Sequence, residues 1–272
     1  MTTRILAIAG SDSGGGAGIQ ADIKTITMLG GHALTAITAI TAQNSLGVEA
    51  VMPVPPEMVV AQIDAVARDI GVDAVKIGMI GSAAIAEAVA DRLLGLTSNG
   101  EMVPVVFDPV MVASSGAILA DPATRAGFAR LMRLAVLVTP NLPELAALAD
   151  VDPDLLADEP ALIGAAIGLV RDSHAALLVT GGHGAGSMLT DRLIGWNGPI
   201  AEWSDPRIET RHAHGTGCTL ASAIAVGFAQ GLDPEQAIAR ARAYVRAALT
   251  SAPGLGGGHG PMGHGLGRTH FP

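Results

Sequence analysis

The feature that most constrains this chain is an alternation. Six short apolar runs, at residues 5–9, 34–41, 74–77, 103–107, 135–139 and 177–180, recur between longer stretches with helical periodicity at 19–29, 56–70, 82–94, 122–134, 142–149 and 161–172. Runs this short and this apolar read as strands buried on both faces, and the stretches between them as crossover helices. Such an order builds βαβ units, so the sequence predicts an α/β fold around a mainly parallel sheet. Aliphatic residues suit it: 49% of the chain is apolar but only 3% is aromatic. Two further strand-like pieces, 186–190 and 193–196, read as a hairpin turning at Asp191 and Arg192. A helix from about Thr216 and another from Pro234 to about Ser251 follow. With no long linker and no repeat, the reading is a single domain over 1–272. Its Gly- and His-rich tail, about 254–272, reads as a solvated end, in which His259 and His264 fit no common metal-ligand spacing.

Charge and cysteine usage narrow the function classes. A formal charge of −9 without a basic run argues against nucleic acid as the main partner. One cysteine forbids an internal disulfide and fits a reducing compartment. No uninterrupted apolar stretch reaches about 18 residues, and the first apolar run is too short for a signal peptide. The expectation is a soluble, cytoplasmic protein with no membrane partner.

Parallel sheets bind ligands beyond the carboxyl ends of their strands. Those ends deliver, in turn, Ser11 and Asp12 with a glycine run, Gln43 and Asn44, Gly78 and Met79, Asp108, Asn141 with Glu144, and Gly181 to His183. Gly16-Ala17-Gly18-Ile19-Gln20-Ala21 fits the loose G-x-G-x-x-G/A pattern, but Gln43 and Asn44 stand where a ribose-binding acid is wanted. A dehydrogenase is thereby disfavoured, and there is no Walker-type phosphate loop. Gln43 and Asn44 suit either the edge of a heteroaromatic ring or a loop cap. Asn141, Pro143 and Glu144 form a capping-box variant, while Asp108 and Glu144 together suit Mg²⁺. In His214-Gly215-Thr216-Gly217-Cys218, glycines precede an apolar helical run. Backbone N–H groups at such a helix head make an anion site, and a cysteine there should have its thiolate favoured and its pKa lowered. The competing reading of Cys218 is a small packed residue.

The segments GSDSGGGAGIQADIKT, ITAITAQNSLGV, VKIGMIG, DPVMVASSG, LVTPNLPE and HGTGCTLASAIA occur in that order between Ile5 and about Gly231. In this the chain resembles the hydroxymethylpyrimidine/phosphomethylpyrimidine kinases of thiamine biosynthesis, within the ribokinase-like superfamily. Pyridoxal kinases share much of the pattern but usually carry Asp where Cys218 stands. The resemblance implies a three-layer α/β/α fold, usually a homodimer, using ATP and Mg²⁺ on a small pyrimidine. It implies that Gly10, Asp22, Gln43, Met79 and Val110 line the pyrimidine pocket. Asn141, Thr180, Gly182 and Thr216 would lie at the nucleotide, and Asp108 and Glu144 at the metal. Gly215, Gly217 and Cys218 would form the catalytic anion hole, with Cys218 as base. Three positions depart from the family pattern: Thr180 where Lys is common, His32 where Tyr or Phe is common, and Gly263 for Asn. The expected effects are a lost cation at ATP, altered substrate-pocket packing and a looser C-terminal end. The rival functions are a pyridoxal kinase and a weakly catalytic pyrimidine- or vitamin-binding protein.

Overall fold

The computed structural model describes residues 2–98, 100–113, 116–117, 119–183 and 186–265. Ser114 and Ser115 of the DPVMVASSG segment, and 266–272 of the tail, lie outside them. The chain begins β1 (Arg4–Asp12), α1 (Gly18–Met28), β2 (His32–Gln43), β3 (Val48–Pro53), α2 (Pro56–Asp69), β4 (Ala74–Ile77) and α3 (Ala83–Leu93). A small hairpin of β5 (Thr97–Ser98) and β6 (Glu101–Met102) leads to β7 (Val105–Phe107), α4 (Pro122–Leu134), β8 (Leu137–Val138), α5 (Leu142–Ala149) and α6 (Glu159–Ser173). The chain closes with β9 (Ala176–Val179), β10 (Met188–Gly195), β11 (Gly198–Pro206), α7 (Thr216–Ala229) and α8 (Pro234–Thr250).

Nine strands form one sheet in the order β11-β10-β9-β8-β7-β4-β1-β2-β3. The pairs from β2 through β1, β4, β7 and β8 to β9 are parallel, and antiparallel strands close both ends. One face packs under α2 to α6 through residues such as Ile8, Val75, Phe107 and Leu177. The other packs under α1, α7 and α8 through Ile5, Ala7, Val106 and Leu178. This is the expected three-layer α/β/α arrangement, and all six sequence-predicted strands are present within a few residues of their expected bounds.

Helix starts follow the capping chemistry. Ser82, Asp121, Asn141, Asp158 and Asp233 each accept a backbone N–H three residues on, which satisfies a donor the helix leaves orphaned. Helices α1, α2 and α7 have no side-chain cap, and α7 starts from Gly215.

Four expectations need correction. Asp191 and Arg192 do not form a turn but lie inside β10, where each side chain is consumed by partners. Asp191 is buried and accepts hydrogen bonds from Gly181 N (2.8 Å) and Arg242 Nε (2.7 Å). Arg192 pairs with Glu159 and Glu202 on the other face of the strand. The hairpin turns instead at Trp196 and Asn197, between the paired Gly195 and Gly198; Asn197-Gly198 is a strong turn signal that the apolar pattern obscured. His32 is exposed at the start of β2, opposite Arg4, so it sits at the end of the sheet away from the strands' carboxyl ends and cannot touch a pocket there.

From Gly260 to His264 the tail is packed rather than solvated, while Gly254 to Gly257 and His259 are exposed. Pro261 pairs with His214, Met262 and His264 are buried, and Tyr244 donates to His264 O (2.8 Å). His264 Nε2 lies 2.9 Å from Thr219 Oγ1, and burial pushes its pKa down to about 4, so it is a neutral packing group. Gly263 tightens this end instead of loosening it. Its N–H donates to Ala248 O (2.9 Å), and a β-carbon there would lie 2.1 Å from Ser251 O. Gly263→Asn should therefore destabilise the fold by on the order of 1–3 kcal/mol, the usual cost of overpacking. Thermal or denaturant unfolding tests this, and an unchanged midpoint would mean the tail relaxes freely.

Candidate active site

The parallel strands end together at one edge, and a single cavity of about 1210 Å³ runs along it. Ligand pockets for one small molecule occupy about 300–1,000 Å³, so this one has room for two ligands. From β2 to β9 the edge crosses five strand spacings, roughly 24 Å at about 4.8 Å each. The strand order reverses between β1 and β4, since the chain leaves β1 for β2 on one side and later returns to β4 on the other. Such a switch point opens a crevice, and Gly10, Asp12, Gln43, Met79 and Val110 line the cavity there or beside it. At the other end Asn141, Thr180 and Gly182 line it, with Arg207 donating to Gly182 O (2.9 Å). Asp108, at the end of β7, lies between the two ends.

Helix α7 packs on β1, β4 and β7, so its uncapped head points into the middle of the cavity. Gly215 makes that docking possible. Its φ is 87°, and a β-carbon would lie 2.0 Å from Gly16 O, so the two backbones touch. Glycine is needed on both counts. Gly215, Thr216, Gly217 and Cys218 all line the cavity, with N–H groups that have no helical acceptor. The backbone N–H of Gly18, in the glycine loop, is among the groups that favour a Cys218 anion.

A second tie runs through Asp12. Its carboxylate accepts hydrogen bonds from Gly14 N (2.8 Å), Gly16 N (2.9 Å) and Ala17 N (2.8 Å). His214 Nε2 lies 3.0 Å from Asp12 Oδ2. Burial raises the Asp12 pKa, but these hydrogen bonds together with His214 outweigh it and hold the carboxyl below its ordinary value. An ionised carboxylate only accepts, so that ring nitrogen carries a proton. The Gln43 amide lies 3.1 Å from the same nitrogen. Asn44, by contrast, caps the β2–β3 turn, accepting from Leu46 N and Gly47 N. Neither Asp12 nor His214 was assigned a role from sequence, although both stand in the quoted segments.

The electrostatics are set by burial. Burial pushes Asp108 up to about 6, and burial together with the neighbouring Asp108 pushes Glu144 up to about 8. Asn141 and Glu144 do form the capping box: Glu144 N donates to Asn141 Oδ1 and Asn141 N to Glu144 Oε2. Glu144 nevertheless also lines the cavity, so the cap and the site share one side chain. Asp108 Oδ2 is buried and accepts no hydrogen bond from the described residues, and it faces Gly217. An orphaned carboxylate oxygen beside a second carboxylate fits a divalent cation. Among the described residues no three His, Cys, Asp or Glu side chains cluster as a complete metal cage, and Mg²⁺ is usually held by one or two carboxylates plus substrate phosphates.

Two site expectations are overturned. Asp22 does not line the cavity: it is fully buried beneath it, paired with Lys76. The Cys218 thiol is not acidified. The residue opens onto the cavity, yet burial of its sulfur pushes the pKa up to about 12, against the opposing pull of Lys76. In the free protein it is a thiol.

A family model described as phosphomethylpyrimidine kinase matches residues 12–263. The chain belongs to the phosphomethylpyrimidine kinase family. It is 46% identical to a hydroxymethylpyrimidine/phosphomethylpyrimidine kinase of Streptomyces coelicolor over 96% of this chain and 94% of that one. The fold matches a crystal structure of phosphomethylpyrimidine kinase from Clostridium difficile with TM-score 0.77 and 33% identity, over 91% of this chain and 99% of that one. It also matches a pyridoxal kinase from Staphylococcus aureus in complex with ADP, with TM-score 0.87 and 28% identity, over 97% and 94%. The ribokinase-like architecture and membership of a phosphotransferase family are thus established together.

The raised carboxyl pKa values carry a pH prediction. Protons bound more tightly in the folded state stabilise it below the unfolded carboxylate pKa, and that stability is lost as pH rises through about 6 for Asp108 and about 8 for Glu144. The melting temperature of metal-free protein should therefore fall from about pH 6.5 to pH 9. Added Mg²⁺ should raise it more at pH 9 than at pH 6.5. An equal Mg²⁺ effect at both would argue against the carboxylate pair as its site.

Proposed function

We propose that the protein uses ATP to phosphorylate the hydroxymethyl group of 4-amino-5-hydroxymethyl-2-methylpyrimidine, and then the resulting monophosphate to the diphosphate, in thiamine biosynthesis. The observation that carries this reading is the uncapped head of α7, set midway along the cavity between the Gln43 end and the Gly182 end. A transferred phosphoryl group must lie between acceptor and donor, and it needs in-line positioning and charge neutralisation more than covalent help. The pyrimidine is assigned to Gly10, Gln43, Met79 and Val110, and the nucleotide to Asn141, Thr180, Gly182 and Thr216. Asp108 and Glu144 would hold Mg²⁺, which when bound neutralises phosphate charge.

In the first transfer the substrate hydroxyl oxygen bonds to the γ-phosphorus. The bond from that phosphorus to the β–γ bridging oxygen breaks, and ADP leaves with the electron pair. The N–H groups from Gly215 to Cys218 stabilise the charge on the moving phosphoryl. The hydroxyl proton passes to the Cys218 sulfur. Since the free site holds a thiol, the anionic form belongs to the loaded site, favoured there by the α7 amides and Lys76. The second transfer differs in one respect. Its nucleophile is a phosphate oxygen, largely ionised at neutral pH because the second pKa is about 6, so there is no proton to remove.

The coupled release of ADP with the pyrimidine, its monophosphate and pyridoxal tests the assignment. Turnover of pyridoxal alone would replace it with the pyridoxal kinase reading, and binding without turnover with the binding-protein reading. Cys218→Ala should lower kcat for the hydroxymethyl substrate by about 10²–10⁴-fold, the usual worth of a general base, while both KM values hold. The second transfer should lose far less, and equal losses in both steps would remove Cys218 as base.

The protein is further read as a homodimer. Ile40 and Met52 sit opposite each other in the β2–β3 register, both exposed, with Leu46 exposed at the connecting turn. Such an apolar sheet edge suits a second copy. Light scattering that returns the monomer mass at micromolar concentration would dismiss it.

A further inference from the structure

The transfer scheme leaves one buried ion pair without a task. Lys76, on β4, has no exposed surface, and its Nζ lies 2.9 Å and 3.0 Å from the two carboxylate oxygens of Asp22 on α1. Ser222 Oγ, on α7, donates to Asp22 Oδ1 (2.7 Å). One strand and two helices thus converge on a charge cluster inside an otherwise aliphatic layer. Gly78 makes room for it, since a β-carbon there would lie 2.7 Å from Nζ. A buried pair of this kind adds little net stability, because desolvating two ions costs about what their attraction returns. Its location suggests another use. Ser222 and Cys218 are four residues apart on α7 and share the face turned to the sheet. The pair therefore lies one helical turn below the sulfur, at the end of the strand next to the one that ends at Asp108.

We propose that Lys76 is a positioning residue for phosphoryl transfer: its ammonium, fixed by Asp22 and Ser222 under the first turns of α7, is the standing cation that supports a Cys218 thiolate at the head of that helix. This rests on the kinase reading above. The groups that face Cys218 are Lys76 from β4, Asp22 from α1, Asp108 after β7 and the Gly18 N–H from the glycine loop. At Cys218 the attraction of Lys76 outweighs the repulsion of Asp22, so the pair acts as a dipole with its positive end toward the sulfur. The N-terminal amides of α7 favour negative charge from above, and Lys76 does so from below.

The test is the double variant Lys76→Met with Asp22→Asn, which removes both charges and leaves no lone buried ion. It should fold with a melting temperature at or above wild type and keep both KM values. Its kcat for the hydroxymethyl substrate should fall at least about tenfold, and iodoacetamide should alkylate Cys218 about tenfold more slowly at pH 9, the effect of one pKa unit. With one cysteine in the chain, alkylation reports a single site. A kcat and alkylation rate near wild type would overturn the proposal. Should the double variant not fold, Asp22→Asn alone runs the test in the opposite direction. It keeps the cation, removes the counter-charge and should speed alkylation above wild type; no acceleration overturns the proposal equally. Failure of the kinase reading is distinguishable, because then the wild-type protein itself would release no ADP with either pyrimidine.

Discussion

The backbone contact between Gly215 and Gly16 is the interaction on which the site depends. It seats the head of α7 on the loop that leaves β1, with no side chain between. Once that contact is made, His214 meets the Asp12 carboxylate that already gathers three loop amides. Pro261 then pairs beside His214. Segments far apart in sequence thereby fix one another's position, and the anion-binding amides inherit that rigidity.

The fold was legible because its signals are local. A buried parallel strand is mostly apolar, and most of the helices here begin with a capping side chain or a proline, so both periods are written in the chain. Asn141 and Glu144 announced their box, and Gln43, Met79, Asp108 and Gly182 line the cavity at or just past strand ends as expected. What was not legible depends on distant partners. Asp191 and Arg192 look like a turn until Arg242, Glu159 and Glu202 are brought to them. Asp22 looks like a pocket residue until Lys76 is placed under it, although a lysine inside the four-residue apolar run of β4 was a signal that could have been read. The thiol shows the same limit: sequence gives its place at a helix head, which favours the anion, but not the burial of its sulfur, which disfavours it more.

The active edge is consequently a balance of charges kept from water. Asp108 and Glu144 repel each other, and Cys218 resists ionisation, while Lys76 and the α7 amides pull the other way. Near neutral pH the free protein answers by holding protons at Glu144 and Cys218. A phosphorylated ligand with its counter-ion changes that balance at every one of them together, so proton occupancy and ligand occupancy are linked through the whole edge rather than residue by residue.

The packed tail has a practical corollary for engineering. Strand β1 starts at the end of the sheet remote from the cavity, so a fusion partner or purification handle joined near residue 2 stays clear of the chemistry. Near the other end of the chain the described residues offer no such freedom. The chain from Gly258 to His264 lies against Ser45, His214, Thr219 and Ser251, and so buttresses the helix head from behind. Trimming that segment to improve crystallisation would reach the anion-binding turn through one layer of contacts.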